Sequence, residues 1–180
     1  MNMRSTASGF TLIELLITMA IFSILMTAVY GVYISYSKTA TIQNASAWAQ
    51  QNVRGGLEFM VQDIQMAGFD PTGGAGSGIE VNNAQKIRIT SDRNEDGDID
   101  EADFERVTYT LSGTDLRRIL YEGTDSEASS TIIENITDLS FTYSGSRVTI
   151  SLEVEEPAGG MAEPVPRALA TTVYCRNLDY

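Results

Sequence analysis

The sequence contains no histidine, and its single cysteine is Cys175. Without His there is no Ser–His–Asp or Cys–His catalysis, no His-ligated zinc and no side chain that ordinarily titrates near neutrality. One Cys forms no internal disulfide, so the fold is not stapled covalently. Basic residues are also scarce: 12 Lys and Arg stand against 24 Asp and Glu, a net charge of −12. Phosphate binding depends on clustered Lys and Arg, and no dense cluster is present, so nucleic acid is not an expected partner. Charge of either sign is nearly missing from residues 10–37, where Glu14 stands alone. Enzymatic chemistry is therefore a poor reading of this chain, with no recognisable nucleophile–base pair.

What is present divides the 180 residues into an apolar N-terminal arm and a polar, acidic body. Residues 1–9, MNMRSTASG, are polar and carry one basic residue, Arg4. The run FTLIELLITMAIFSILMTAVYGVYISYS follows at once. About twenty apolar residues in a helix cross the roughly 30 Å of bilayer hydrocarbon, so this run can span it. A secretory signal places its small-residue cleavage site after the apolar run. Here Gly9 lies before it, and cleavage there leaves the helix on the mature chain. Glu14 costs a few kcal/mol in hydrocarbon. Either it snorkels from the helix end to the headgroups or it has a function. Tyr30, Tyr33 and Tyr36 read as an interfacial aromatic belt.

Ser8-Gly9-Phe10-Thr11-Leu12-Ile13-Glu14-Leu15-Leu16 resembles the class III signal of type IV prepilins and type II secretion pseudopilins. The resemblance implies that a prepilin peptidase cuts after Gly9 and methylates Phe10. It also implies that Glu14 is an assembly carboxylate, neutralising a terminal amine within a filament. Gly31 departs from the helix-bending Pro common in major pilins, and Gly also weakens a helix.

Beyond Lys38 a stripe of Ile42, Ala45, Ala49, Val53, Leu57, Met60, Ile64 and Ala67 keeps helical spacing. One helix is expected from about Thr11 to Met66, ending near Gly68 and before Pro71. At 1.5 Å per residue it measures on the order of 85 Å, so its first half needs a membrane or filament core for shelter. Arg54, Gly55 and Gly56 interrupt the stripe, by a kink or, as preferred, by close packing on a sheet. Residues 71–78, PTGGAGSG, read as a flexible loop.

The pattern then changes to period two. Strands are expected at 85–90, 106–111, 116–121, 139–143, 148–154 and 169–176, with hairpin turns at Ser112–Asp115 and Ser144–Ser146. Residues 156–166 read as an exposed loop. Leu169, Thr171, Val173 and Cys175 share one strand face, which makes Cys175 a small core residue. The fold class is α+β: a long N-terminal helix, its first half transmembrane, on an antiparallel sheet, which is the type IV pilin architecture. The expected division is a cleaved leader 1–9, a transmembrane and assembly helix 10–37, and a head 38–180 whose helix covers 38–67. GGLEFMVQDIQMAGFDP and IIENITDLSFTY are similar to segments of PilW-type minor pilins and, more distantly, J-type pseudopilins.

Residues 92–103, DRNEDGDIDEAD, carry a metal-ligand spacing. Asp92, Asn94, Asp96, Asp100 and Asp103 occupy the first, third, fifth, ninth and twelfth places of an EF-hand or dockerin calcium loop, with Gly97 sixth. Asp98 would offer its backbone carbonyl. Asp103 is one methylene shorter than the usual bidentate Glu, and the flanks read as strands, so the alternative is a solvated acidic turn.

The expected function is a minor pilin of a type IV pilus, acting in filament initiation, assembly or tip function. Alternatives are a type II secretion pseudopilin, a membrane-tethered calcium-binding or adhesive module, and an anchored enzyme. The expected partners are other pilin subunits, prepilin peptidase and the inner membrane that holds the precursor before it reaches the pilus at the cell surface.

Overall fold

The computed structural model describes residues 9–156 and 164–178, so the leader up to Ser8 and residues 157–163 of the expected loop lie outside the described residues. Helix α1 spans Leu12–Met66 without a break. The chain forms two compact units that divide between Thr41 and Ile42, four residues beyond the expected boundary. In the first unit no described residue is buried, and α1 is its one element among the described residues.

In the second unit α1 buries Ala49, Val53, Gly56, Met60, Asp63 and Ile64, at the helical spacing of the expected stripe. The stripe's first residue, Ile42, stays 41% exposed. The helix ends where Gly68 donates its N–H to the Thr90 carbonyl at 3.1 Å.

Among the described residues eight strands follow, not six, and they form two antiparallel sheets rather than one. The first sheet runs in chain order: β1 (Ile79–Asn83), β2 (Lys86–Thr90), β3 (Arg106–Ser112), β4 (Asp115–Leu120) and β5 (Ala128–Ile133). The second holds β6 (Ile136–Ser144), β7 (Arg147–Glu156) and β8 (Val165–Tyr174). The Phe141 N–H donates to the Ala84 carbonyl at 2.7 Å, and the Ile136 N–H to that of Thr114 at 2.8 Å, joining the sheets. The two unexpected strands, β1 and β5, are the edges of the first sheet. An edge pairs on one side only, and Ala128–Thr131 are all exposed, so no alternation of burial marks the sequence.

Both expected hairpins form, closed by Ser112 opposite Asp115 and Ser144 opposite Arg147. Pro166, expected in a loop, instead pairs opposite Glu155 in β8. β8 is an edge strand, where a missing N–H is tolerated. Val173 and Cys175 are buried in the core as expected. Leu169 is 40% exposed, because that end of β8 borders a groove of about 480 Å³ shared with Gln50, Arg54 and Leu57.

One core cluster draws on α1 and both sheets, with Tyr109, Met60, Ile64, Ile87 and Leu116 among its fully buried members. Within it Asp63 is only 6% exposed. Its Oδ1 accepts from Arg93 Nη2 at 2.9 Å, and its Oδ2 from the Tyr109 hydroxyl at 2.7 Å and Arg118 Nε at 3.1 Å. One carboxylate thus ties α1 to β3, to β4 and to the segment after β2. Burial and the adjacent Asp63 charge raise the Tyr109 hydroxyl far above its ordinary pKa, so it remains a donor.

The two central glycines of α1 differ. A Cβ on Gly56 would fall inside the van der Waals shell of the Ile133 side chain, which is itself buried, whereas one on Gly55 meets nothing within 4 Å. Close packing, not a kink, explains Gly56. In thermal unfolding, Gly56→Ala is expected to destabilise by about 1–3 kcal/mol. Gly55→Ala should stabilise by up to about 1 kcal/mol through helix propensity. Asp63→Asn should cost about 3 kcal/mol in a denaturant titration, since two guanidiniums lose their carboxylate in a largely dry site. An unchanged midpoint would show that the network is not needed for stability.

Candidate functional site

Two regions carry the residues singled out by the sequence. The first lies at the start of α1. Gly9 and Phe10 precede the helix, Phe10 is 89% exposed, and nothing lies within 4 Å of a Cβ built on Gly9. Among the described residues nothing covers the junction between them. Thr11 and Glu14 form a reciprocal cap. The Thr11 N–H and hydroxyl donate to Glu14 Oε2 at 2.9 and 2.8 Å, and the Glu14 N–H donates to Thr11 Oγ1 at 3.3 Å. This is a capping box, which satisfies amide groups that a helix start leaves unpaired. Its sequence signal is Thr-x-x-Glu, and a reading of Glu14 as an assembly carboxylate alone passes over it.

The hydroxyls further along the run are also satisfied within the helix. Thr18 donates to the Leu15 carbonyl at 2.8 Å, Ser23 to Met19 at 2.8 Å and Thr27 to Ser23 at 2.9 Å. Hydrocarbon offers no partner for a bare hydroxyl, so such back-bonding lets polar residues enter it. The surrounding apolar side chains are exposed, Leu12 at 77%, Ile24 at 71% and Val32 at 71%. The helix is long and apolar enough here to cross a membrane. Tyr30, Tyr33 and Tyr36 are exposed on it as well.

The second region is the acidic segment between β2 and β3. Glu105 is fully buried and organises it. Its Oε1 accepts the Arg93 and Asn94 N–H groups at 2.9 and 3.2 Å, and its Oε2 accepts the Asp100 N–H at 3.1 Å. Asp92 is also fully buried, and its Oδ2 accepts the Gly97 N–H at 3.1 Å. Gly97 has φ +93°, a conformation that L side chains resist.

Around that turn the carboxylates of Asp96, Asp98 and Asp100 each place an oxygen within 4.8 Å of the other two. Asp98 is raised above the ordinary carboxylate range, chiefly by the Asp96 charge, then by desolvation and by Asp100 and Glu105. Asn94 is engaged with Asp96, donating from Nδ2 to Oδ2 at 2.8 Å and accepting the Asp96 N–H at 3.0 Å. Asp92 and Asp103 are not part of the close carboxylate group. Positive φ values at Asp103 and Phe104 turn the chain so that Glu105, two places beyond the twelfth, closes the segment. In this geometry Asp98 offers its side chain, where the spacing alone pointed to its backbone carbonyl.

The neighbouring loop is less loose than its composition implies. Asp70 accepts the N–H groups of Gly73, Ala75 and Gly76 at 2.7, 3.0 and 3.1 Å, and the Thr72 hydroxyl at 3.1 Å. Desolvation opposes ionisation of Asp70, but these bonds outweigh it and hold its carboxyl below the usual range. Thr72 lies against Gly97, 3.2 Å from a Cβ built there.

Residues 4–30 match the prokaryotic N-terminal methylation motif, and residues 43–174 match the prepilin peptidase-dependent protein B family. The chain belongs to the prepilin peptidase-dependent protein B family. No curated protein and no solved structure matches it. Together with the long helix on antiparallel sheet, these matches make it a type IV pilin-like subunit with a class III signal. The signal and the apolar helix make the precursor a membrane-anchored one that depends on prepilin peptidase. The match across 43–174 includes α1 from Gln43 onward, both sheets and the acidic segment.

Glu105→Gln keeps the side chain's size but turns one acceptor oxygen into a donor facing backbone N–H groups. It is expected to cost about 2 kcal/mol in thermal unfolding and to raise proteolytic sensitivity within residues 92–104. Parental stability would show that the three amides find other partners.

Proposed function

We propose that this subunit is a minor pilin of a type IV pilus, acting in filament initiation, assembly or tip function and not as an enzyme. On this reading the precursor sits in the inner membrane through the first part of α1. Prepilin peptidase cuts between Gly9 and Phe10 and methylates the new Phe10 amine. The helix then leaves the bilayer for a filament core built from other pilin subunits, bringing the subunit to the cell surface.

The observation that carries the reading is the helix start: an exposed apolar surface with one carboxylate, Glu14, held in a capping box by Thr11. Bare in hydrocarbon, a carboxylate is costly. Held by two donors, it is tolerated in the membrane yet remains an acceptor for a cation. In a filament, a neighbouring Phe10 ammonium offsets its charge at close range in a medium that screens little. A plain membrane anchor would use Glu14 only as a helix cap, whereas a filament also uses its charge.

The test compares the parental strain, a deletion and Glu14→Ala in the bacterium that makes the protein. Mass spectrometry of the membrane-extracted chain is expected to give a methylated Phe10 start in both parental and Glu14→Ala forms. Pili counted by electron microscopy should fall about tenfold or more in the deletion and in Glu14→Ala, with type II secretion unchanged. Normal piliation with lost secretion would assign the subunit to the secretion system instead. A Met1 start in the presence of active peptidase would sink the processing step.

A further inference from the structure

We propose that the segment between β2 and β3 is a calcium site, with Asp92, Asp96, Asp98 and Asp100 as its carboxylate ligands. The first support is a charge without a partner. Asp92 is fully buried, its Oδ2 is anchored on the Gly97 N–H, and its Oδ1 is buried with no hydrogen-bond partner among the described residues. A carboxylate oxygen so placed is expensive unless a cation reaches it. The Gly97 anchor sets this carboxylate against the turn between Asp96 and Asp98.

The basic side chains nearby are engaged elsewhere. Arg93, the one basic residue among the eight acids of 92–105, binds Asp63 at 2.9 Å and Ser91 Oγ at 3.2 Å. Arg106 directs Nη2 to the Ile99 carbonyl at 3.5 Å. Arg118 is held by Asp63 and Tyr109.

The second support is geometric and independent of Asp92. Three oxygens all within 4.8 Å of one another have a common centre at most about 2.8 Å from each, close to the 2.3–2.6 Å of calcium–oxygen bonds. Small rotations of exposed carboxylates close the difference. Three anionic groups at that spacing repel one another, and a divalent cation reverses the sign of the interaction.

The donor chemistry selects the ion. Every candidate ligand atom is oxygen, the chain has no His, and the core residue Cys175 is its only thiol, so the set does not suit zinc or copper. Calcium accepts six to eight oxygens in irregular geometry, which four carboxylates, backbone carbonyls and water supply; magnesium demands a tight octahedron. Asn94 orients Asp96 through two hydrogen bonds rather than by joining the ligands. Asp92 and Asp103 both lie outside the close group of three, but Asp92 is drawn to the turn by its bond to the Gly97 N–H, the tie that makes it the fourth ligand of the proposal. Because Gly97 lies against Thr72, the ion would also steady the loop framed by Asp70.

The experiment uses the full-length protein in detergent, with calcium chloride as the probe, and does not depend on processing or filament assembly. Isothermal titration calorimetry is expected to show one site with a dissociation constant of about 10⁻⁵–10⁻³ M. At a hundredfold excess over that constant, the unfolding midpoint should rise by about 5–10 °C over chelator, and by less with magnesium. Asp98→Asn and Asp92→Asn should each weaken binding about tenfold or more, while Asp103→Asn should change it less than about twofold. If Asp92→Asn fails to fold, the exposed Asp98→Asn carries the comparison. No binding heat with equal midpoints in calcium and chelator would overturn the site. Equal responses to calcium and magnesium would overturn the choice of ion, and loss of binding in Asp103→Asn would overturn the ligand set.

Discussion

The head depends on one carboxylate placed where an apolar side chain would be expected. Asp63 occupies the buried face of α1 and receives Arg93, Tyr109 and Arg118. Hydrophobic burial pulls the helix onto the sheets but is indifferent to small slides along its axis. Three directional bonds to one residue are not. They set the register of α1 against β3 and β4, and through Arg93 they hold the chain as it leaves β2. The acidic segment is therefore anchored at its start by the same group that orients the helix.

The two acidic features of the chain illustrate opposite solutions to one electrostatic problem. Glu14 sits in an apolar run but is stabilised locally, because a helix start presents unpaired N–H groups and Thr11 adds a hydroxyl. Asp92 sits in a folded interior with one oxygen stabilised by an amide and the other left over. In the first case the neighbours needed are three residues away along the chain. In the second, one oxygen is met by the N–H of Gly97, five residues on, and the other has no hydrogen-bond partner among the described residues. Glu105 shows that a buried carboxylate at this place can be satisfied entirely by backbone amides, which makes the Asp92 remainder more telling.

The sequence was most legible where periodicity and burial coincide. The helix was bounded within a residue at each end, since apolar spacing runs to Met66 and Gly68 and Pro71 stop it. The central strands and both hairpins were legible for the same reason. β1 and β5 were not, because edge strands carry polar residues on exposed backbone, and β8 starts earlier than its apolar run because pairing with β7 overrides the Pro. The division into two sheets left no local trace. It depends on the backbone links from β6 to the turn after β1 and from Ile136 to Thr114.

By itself the sequence determined the class of the protein: a polar leader, a junction at Gly9–Phe10, a lone Glu14 and an unbroken apolar helix. All these lie within one short stretch of sequence, so they are legible without knowing how distant parts of the chain meet. It also determined that the segment 92–103 is rich in oxygen ligands. Which of those oxygens face one another was decided only by tertiary structure. Asp103 leaves the group and Asp98 enters through its side chain because Glu105, buried just before β3, holds the backbone of the turn. Ligand spacing counts residues, whereas coordination depends on where a chain bends, and that bend is fixed by contacts from outside the segment.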